Sequence, residues 1–329
     1  MQFGLFGSAQ AQRGGPDIDS AHGFKDYVEY AIEAEALGYR SIFTVEHHFT
    51  GFGQVSASLS LLTWVAAKTK TMRVGTAVTV LPWHNPVLLA EQAATLDLLS
   101  EGRLDFGVGK GYRYNEFKGF RIPMEEAEER FEEALALILK SWTSEERFSH
   151  RGKYWAFDDI VVEPPTRQKP HPPIWMGAGS PASIEKVAQR GFNVMFDQYA
   201  PTDMIAERFA VFKRACEQAG RRFDPMHAAV SRAVYVAKDA ADKQRALEQR
   251  TIGRHRMNVL AERPDGKNTA TLMQFADKRD ASDESALFGT VEEIAEKLER
   301  LRGYGIEYVL FNCAGGSRET LRRFAREIM

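Results

Sequence analysis

The stretch IFTVEHHFTGFG, residues 42–53, begins as an apolar run and ends in three polar groups, Glu46, His47 and His48. A carboxylate beside two imidazoles is suited to moving protons near neutral pH, and the same residue types also bind metals. Adjacent residues of an extended strand point to opposite faces, so His47 and His48 can aim at one metal only if the strand has already ended. Other apolar runs end in TAVTV, MGAGS and NCAGG, which add no ligands, so proton handling is favoured over metal chemistry. A buried histidine pair bonded to the backbone is the purely structural alternative.

Glycines at strand ends are the second feature. GVGKGY, Gly107 to Tyr112, has the look of a dinucleotide fingerprint, but RYNEFKGF follows it where an apolar helix would be required. MGAGSPAS is better placed. There a strand turns through Gly177 and Gly179 into a helix whose first turn holds Ser180 and Ser183, so amides and hydroxyls converge at the positive helix end, where a phosphate would sit. An ordinary N-cap at Ser180 or Ser183 is equally compatible.

These residues need elements to hold them. Short apolar strands alternate with amphipathic helices: MQFGLF, then a helix from about His22 to Leu37 closed by Gly38, then a strand over Ser41 to Val45. The alternation continues through RVGTAVTVL, RLDFGVG, PPIWMGAG, NVMF, HAAVSRAVYVA and IEYVLFNCA, giving eight strands. Parallel neighbours need crossovers, and eight strand–helix units in a chain of 329 residues predict a single-domain (β/α)8 TIM barrel with insertions over residues 1–329 rather than an open Rossmann-like sheet. Two long connections stand apart. Residues 144–170 read as a hairpin around Arg151 and Gly152, and residues 255–289, polar and weakly patterned, are a candidate mobile cover.

Composition narrows the partners. With 43 Lys and Arg against 45 Asp and Glu, the formal net charge of -2 gives no reason to expect nucleic acid or an anionic membrane. Cys216 and Cys313 are too few for a disulfide framework, no run approaches a membrane span, and MQFGLFGSAQ lacks the regions of a secretory leader. The expectation is a soluble cytoplasmic protein acting on a small molecule.

The run EHHFTGFG followed by VGTAVTVLPWHNPVLLAEQAATLDLLSEGRLDFGVGKGY resembles the bacterial luciferase-like flavin-dependent monooxygenases, and the luciferase alpha subunit in particular. The likeness is dense to about Phe131 and returns in MGAGSPASIEKVAQRG and FGTVEEIAEKLERLRGYGIEYVLF. It implies a barrel that binds reduced FMN, supplied by a separate flavin reductase, reacts it with dioxygen through a flavin peroxide and oxygenates an organic substrate. His47 matches the family's catalytic histidine. The flavin phosphate is implied at Ser180, Ser183 and Lys110, where luciferase has an arginine, with Arg130 as a second cation.

A non-prolyl cis peptide is implied between Ala77 and Val78, behind the flavin ring, with luciferase carrying alanine at the Val78 position. Gly109 stands in place of a reactive cysteine and Gly179 in place of a glutamate, so those two side-chain roles do not transfer. Phe6, Phe49, Trp83 and Tyr112 are candidate walls of a dry pocket. With no arginine cluster beyond the phosphate side, an uncharged, hydrophobic substrate is expected. The alternatives are an F420-dependent oxidoreductase of the same barrel family and a flavin-binding protein without turnover. A homodimer is expected, because SLSLLTWVAAKT carries Leu59, Leu62, Trp64 and Val65 on more than one face.

Overall fold

The computed structural model describes residues 1–266, 283–313 and 318–329. Its strands are β1 (Gln2–Gly7), β2 (Ser41–Thr44), β3 (Arg73–Thr76), β4 (Thr79–Val80), β5 (Leu104–Gly109), β6 (Phe148–Arg151), β7 (Ala156–Ile160), β8 (Ile174–Gly177), β9 (Asn193–Phe196), β10 (Ala228–Val236), β11 (Leu287–Gly289) and β12 (Tyr308–Cys313). The helices are α1 (His22–Ala36), α2 (Ser58–Lys68), α3 (Pro86–Leu99), α4 (Tyr114–Phe120), α5 (Ala127–Thr143), α6 (Pro181–Gln189), α7 (Thr202–Gln218), α8 (Ala240–Ala261), α9 (Val291–Gly303) and α10 (Arg318–Glu327). The succession of parallel strands and crossover helices makes the fold a (β/α)8 barrel, as the alternation predicts.

The chain divides into two compact units, one of residues 1–7, 30–43 and 175–329, the other of residues 8–29 and 44–174. In the first unit β10 pairs in parallel with β9, β11 and β12, while β12 also pairs with β1 and β9 with β8. Parallel strands are covered on both faces, which is why NVMF of β9 is buried at all four positions. Phe3, Phe311 and Phe324 form one aromatic knot of this core, with Phe311 and Phe324 centroids 4.4 Å apart. Helix α1 stops where expected. Gly38 takes φ of 92°, a left-handed conformation that costs glycine little, and its amide returns to Glu35 O at 3.0 Å.

In the second unit β3 and β4 both pair in parallel with β5. The Arg73 guanidinium clamps the buried Asp105 carboxylate at 2.7 and 2.9 Å, tying β3 to β5. Asn85 caps α3 through Oδ1, which accepts from the amides of Val87 and Leu88, and Pro86 opens the helix where no amide is needed. The hairpin expected between residues 144 and 170 is present as antiparallel β6 and β7, turning through Gly152.

Three expectations need adjusting. RVGTAVTVL is not one strand but two, β3 and β4, separated by a cis Ala77–Val78 peptide of the kind the family resemblance implies. The connection 255–289 begins inside α8 and ends in β11; the remainder of the expected cover, residues 267–282, lies outside the described residues. A helix does follow GVGKGY after all, the short α4. Among the described residues no helix is long and apolar enough to cross a membrane.

Candidate active site

Strand β2 ends at Thr44, so the polar triplet lies just beyond it, on a segment pinned by the His47 amide donating to Val55 O at 2.8 Å. The triplet faces two carboxylates rather than one centre. His47 Nδ1 lies 3.1 Å from Glu116 Oε1, and the His48 amide donates to the same oxygen at 2.9 Å. Glu116 comes from α4 and is buried, as is Arg113 one turn before it, whose guanidinium is 4.0 Å from the carboxylate. A carboxylate oxygen accepts but does not donate, so Nδ1 carries the proton and Nε2 of neutral His47 keeps its lone pair. Burial lowers the His47 pKa below its ordinary 6.5, the Glu116 hydrogen bond works against that, and the Arg113 charge reinforces it. His47 is therefore a neutral base at pH 7, oriented by Glu116.

Glu46 organises the second half. Its Oε1 accepts from Trp83 Nε1 at 2.8 Å, His84 Nε2 at 2.9 Å and His48 Nε2 at 3.0 Å. Burial alone would raise this carboxyl, but the bonds from His48, His84 and Trp83 outweigh it and hold the pKa down to about 2. An aromatic shell encloses His48: Phe120 lies edge-on at 4.8 Å, Trp83 stacks on Phe120 at 5.1 Å, and Phe49 packs on Phe120 at 4.9 Å. The histidines thus bond mainly to carboxylates, and the purely backbone-bonded alternative does not describe them.

Of the expected wall residues, Phe49 and Trp83 join this shell. Tyr112 instead lies against Arg113, whose guanidinium carbon is 5.8 Å from its ring centre, and Phe6 belongs to β1 in the other unit. Lys110 is paired with Glu128 at 2.7 Å, both exposed, and Arg130 is held by Glu126 at 2.8 Å and lies over the Tyr154 ring at 4.3 Å. Glu116, Arg113 and His84 were not singled out from the sequence. The available signal for Glu116 was a lone acid within YRYNEFKGF, among Tyr112, Tyr114, Phe117 and Phe120. His84 lay in the compact turn PWHNP.

Two departures from luciferase meet in one contact. A Cβ placed on Gly109 would come within 2.6 Å of Val78 Cγ2, so a valine at 78 leaves no room for the cysteine side chain at 109. In the first unit, Ser180 and Ser183 form a reciprocal capping box: Ser180 Oγ accepts from the Ser183 amide at 3.3 Å, and the Ser180 amide donates to Ser183 Oγ at 3.1 Å. Gly177, before Gly179 in the same turn, is exposed, and a Cβ there would meet nothing nearer than Met195 O at 4.0 Å. Hydroxyls at an exposed helix start, with open space before them, suit a phosphate, so this turn fits the FMN that the family implies.

The expectation of no further arginine cluster does not hold. In the first unit Arg208 bonds Asp197 at 2.8 Å, Arg232 donates to Asp197 O and Ala200 O at 3.1 Å, Arg250 donates to Gln198 O at 2.9 Å, and Arg254 lies over the Tyr199 ring at 4.9 Å. Four guanidiniums thus gather on the loop after β9. They come from α7, β10 and α8, and only the folded chain brings them together.

Comparison with known proteins agrees with this architecture. Residues 1–308 match the family model for luciferase-like monooxygenases. The oxygenase component of a flavin-dependent trigonelline monooxygenase from Acinetobacter baylyi is 26% identical over 346 aligned positions, covering 100% of this chain and 95% of that protein. An F420-dependent glucose-6-phosphate dehydrogenase from Amycolatopsis mediterranei is 25% identical over 321, covering 93% and 94%. The crystal structure of monooxygenase RslO1 from Streptomyces bottropensis superposes with a TM-score of 0.82 at 27% identity, covering 100% of this chain and 98% of that one. With its barrel, its histidine–carboxylate strand end and this match along nearly the whole chain, the protein belongs to the luciferase-like monooxygenase family of oxidoreductases.

Proposed function

We propose that the protein is an FMN-dependent monooxygenase that uses reduced flavin from a separate reductase, with dioxygen, to oxygenate a small organic substrate. The observation that carries this reading is His47, neutral and held by Glu116 at 3.1 Å, at a strand end shared with the family. When bound, reduced FMN supplies the electrons that activate dioxygen. The chain's own residues do the rest. His47 Nε2 takes up or returns a proton, Glu116 fixes the ring, and Phe49, Trp83 and Phe120 keep water from that strand end. Proposed flavin contacts are Ala77, Val78, Gly109, Lys110, Tyr112 and Arg130 in one unit, and Gly179, Ser180 and Ser183 in the other. The whole chain is proposed to act as one barrel domain, in the cytoplasm, as a homodimer.

Mixing the protein with photoreduced FMN and air tests the reading. The expected result is that the protein changes the rate and spectrum of flavin reoxidation relative to free FMN. A companion experiment titrates FMN into Ser183→Ala, which should bind about 1 kcal/mol more weakly, the scale of one hydrogen bond. Because Ser183 also closes the α6 cap, unfolding of the flavin-free variant is measured alongside. Unchanged affinity in both Ser183→Ala and Lys110→Ala would remove the phosphate site. The second reading, an F420-dependent oxidoreductase, is favoured by the dehydrogenase relative from Amycolatopsis mediterranei. Anaerobic hydride transfer with F420, without any response to FMN and air, would select it.

A further inference from the structure

Glu46 also lines a cleft of about 260 Å³ in the second unit, between the start of α2, Thr79 of β4 and the first turns of α3. Three features of this cleft are unsatisfied or unused by the His47 site. Helix α2 starts at Ala57, which provides no side-chain cap, and the first intrahelical bond is Leu61 N to Ala57 O at 3.3 Å. The amides of Ser58, Leu59 and Ser60 therefore precede the helical ladder, and these residues line the cleft. Thr79, only 1% exposed, lines the same space, and its hydroxyl has no hydrogen-bond partner. Finally, Trp83, His84 and His48 all converge on one oxygen of Glu46, which leaves the other outside that set of bonds.

We propose that this cleft binds the uncharged donor–acceptor group of a small organic molecule, of the primary amide or hydroxyl class. The charges select for neutrality. A carboxylate or phosphate would approach the α2 amides favourably but would be repelled by the ionised Glu46. A bare ammonium would suit Glu46 but would sit at the positive end of α2. An amide meets both ends, its N–H₂ donating to Glu46 and its carbonyl accepting from Thr79 Oγ1 and the α2 amides. Leu88 and Leu89 of α3 supply an apolar flank for the ligand's carbon body. This site stands on its own residues and does not depend on the flavin reading.

Benzamide, benzoate and benzylamine share one ring and differ in the charge of the head group, so calorimetric titration of the flavin-free protein with each tests the selection. Saturable benzamide binding is expected, with benzoate and benzylamine weaker by ~10-fold or more, the factor that 1.4 kcal/mol produces. Thr79→Val keeps the shape and removes the hydroxyl, and should weaken benzamide by ~5-fold. Leu88→Trp, at a position 52% exposed that tolerates bulk without entering the core, should block the cleft and abolish binding even if Thr79→Val does not fold. FMN titration of the same variants separates the two sites, since a failed flavin reading would leave the benzamide result untouched. Equal binding of benzoate, no saturable benzamide binding up to about 10 mM, or benzamide affinity unchanged by Leu88→Trp would overturn the proposal.

Discussion

His47 and Glu46 carry opposite electrostatic assignments within two residues, one base kept neutral and one acid kept charged. If the neutral form of His47 is the working form, activity falls only as His47 gains a proton, which happens below its ordinary pKa of 6.5. The acid limb of product formation should therefore lie under pH 6.5. In Glu116→Gln the limb should move lower still, because the Glu116 hydrogen bond and charge raise the His47 pKa. His47→Ala should fold, bind flavin and lose product formation by about 100-fold or more, the scale of general acid–base catalysis. Near-normal coupled turnover in that variant would return His47 to a structural role. For Glu46 the folded pKa is depressed from 4.5 to about 2, so its contribution to stability is complete above pH 4.5 and is lost as pH falls toward 2. Glu46→Gln should cost about 3 kcal/mol at pH 7, and its stability should vary less than that of the parent across the acid range. Chemical denaturation at several pH values measures both effects.

At the scale of elements, Val78 and Gly109 illustrate how a strand pair constrains chemistry. Because β4 and β5 run in parallel register, Val80 beside Gly109, the Val78 side chain occupies the space a side chain at 109 would need. Gly109→Ala should destabilise by about 1–3 kcal/mol through overpacking. Adding Val78→Ala should recover part of that loss, a coupling of about 1 kcal/mol in a double-mutant cycle. Simple additivity of the two changes would show that the contact does not govern the pair. Individual strands and helices were largely legible in the sequence, since apolar runs such as NVMF and amphipathic runs such as EEALALILKSW report burial on both faces or on one. His47 was legible because a strand visibly ended in EHH. Its partner Glu116 was not, because it lies 69 residues away and the bond exists only once α4 is placed beside the end of β2. The arginines around Asp197 escaped notice for the same reason: Arg208, Arg232, Arg250 and Arg254 lie on separate elements and form no cluster in sequence. GVGKGY misled in a different way, since the polar composition of YNEFKGF concealed a short helix whose Glu116 and Phe117 are nonetheless buried.

For the whole molecule, the relevant surface is the outer side of α2 and α3. Leu61, Leu62 and Val65 of α2 are buried within the second unit, yet Trp64 on the same helix is 63% exposed, and Leu98 and Leu99 at the end of α3 are 38% and 64% exposed. A helix that is apolar on its inner face and also presents a tryptophan outward has a second face to bury. The proposed homodimer would bury it, and since each chain offers the same surface, a two-fold arrangement lets both copies satisfy the requirement at once. Light scattering at micromolar concentration should give twice the 37.0 kDa chain mass. Trp64→Glu places a charge where an apolar contact is expected and should shift the equilibrium to monomer while leaving the fold intact, because the side chain is mostly exposed within one chain. Circular dichroism of the variant checks the fold. A parent protein that is monomeric at those concentrations, or a Trp64→Glu variant that remains dimeric, would place the interface elsewhere or remove it.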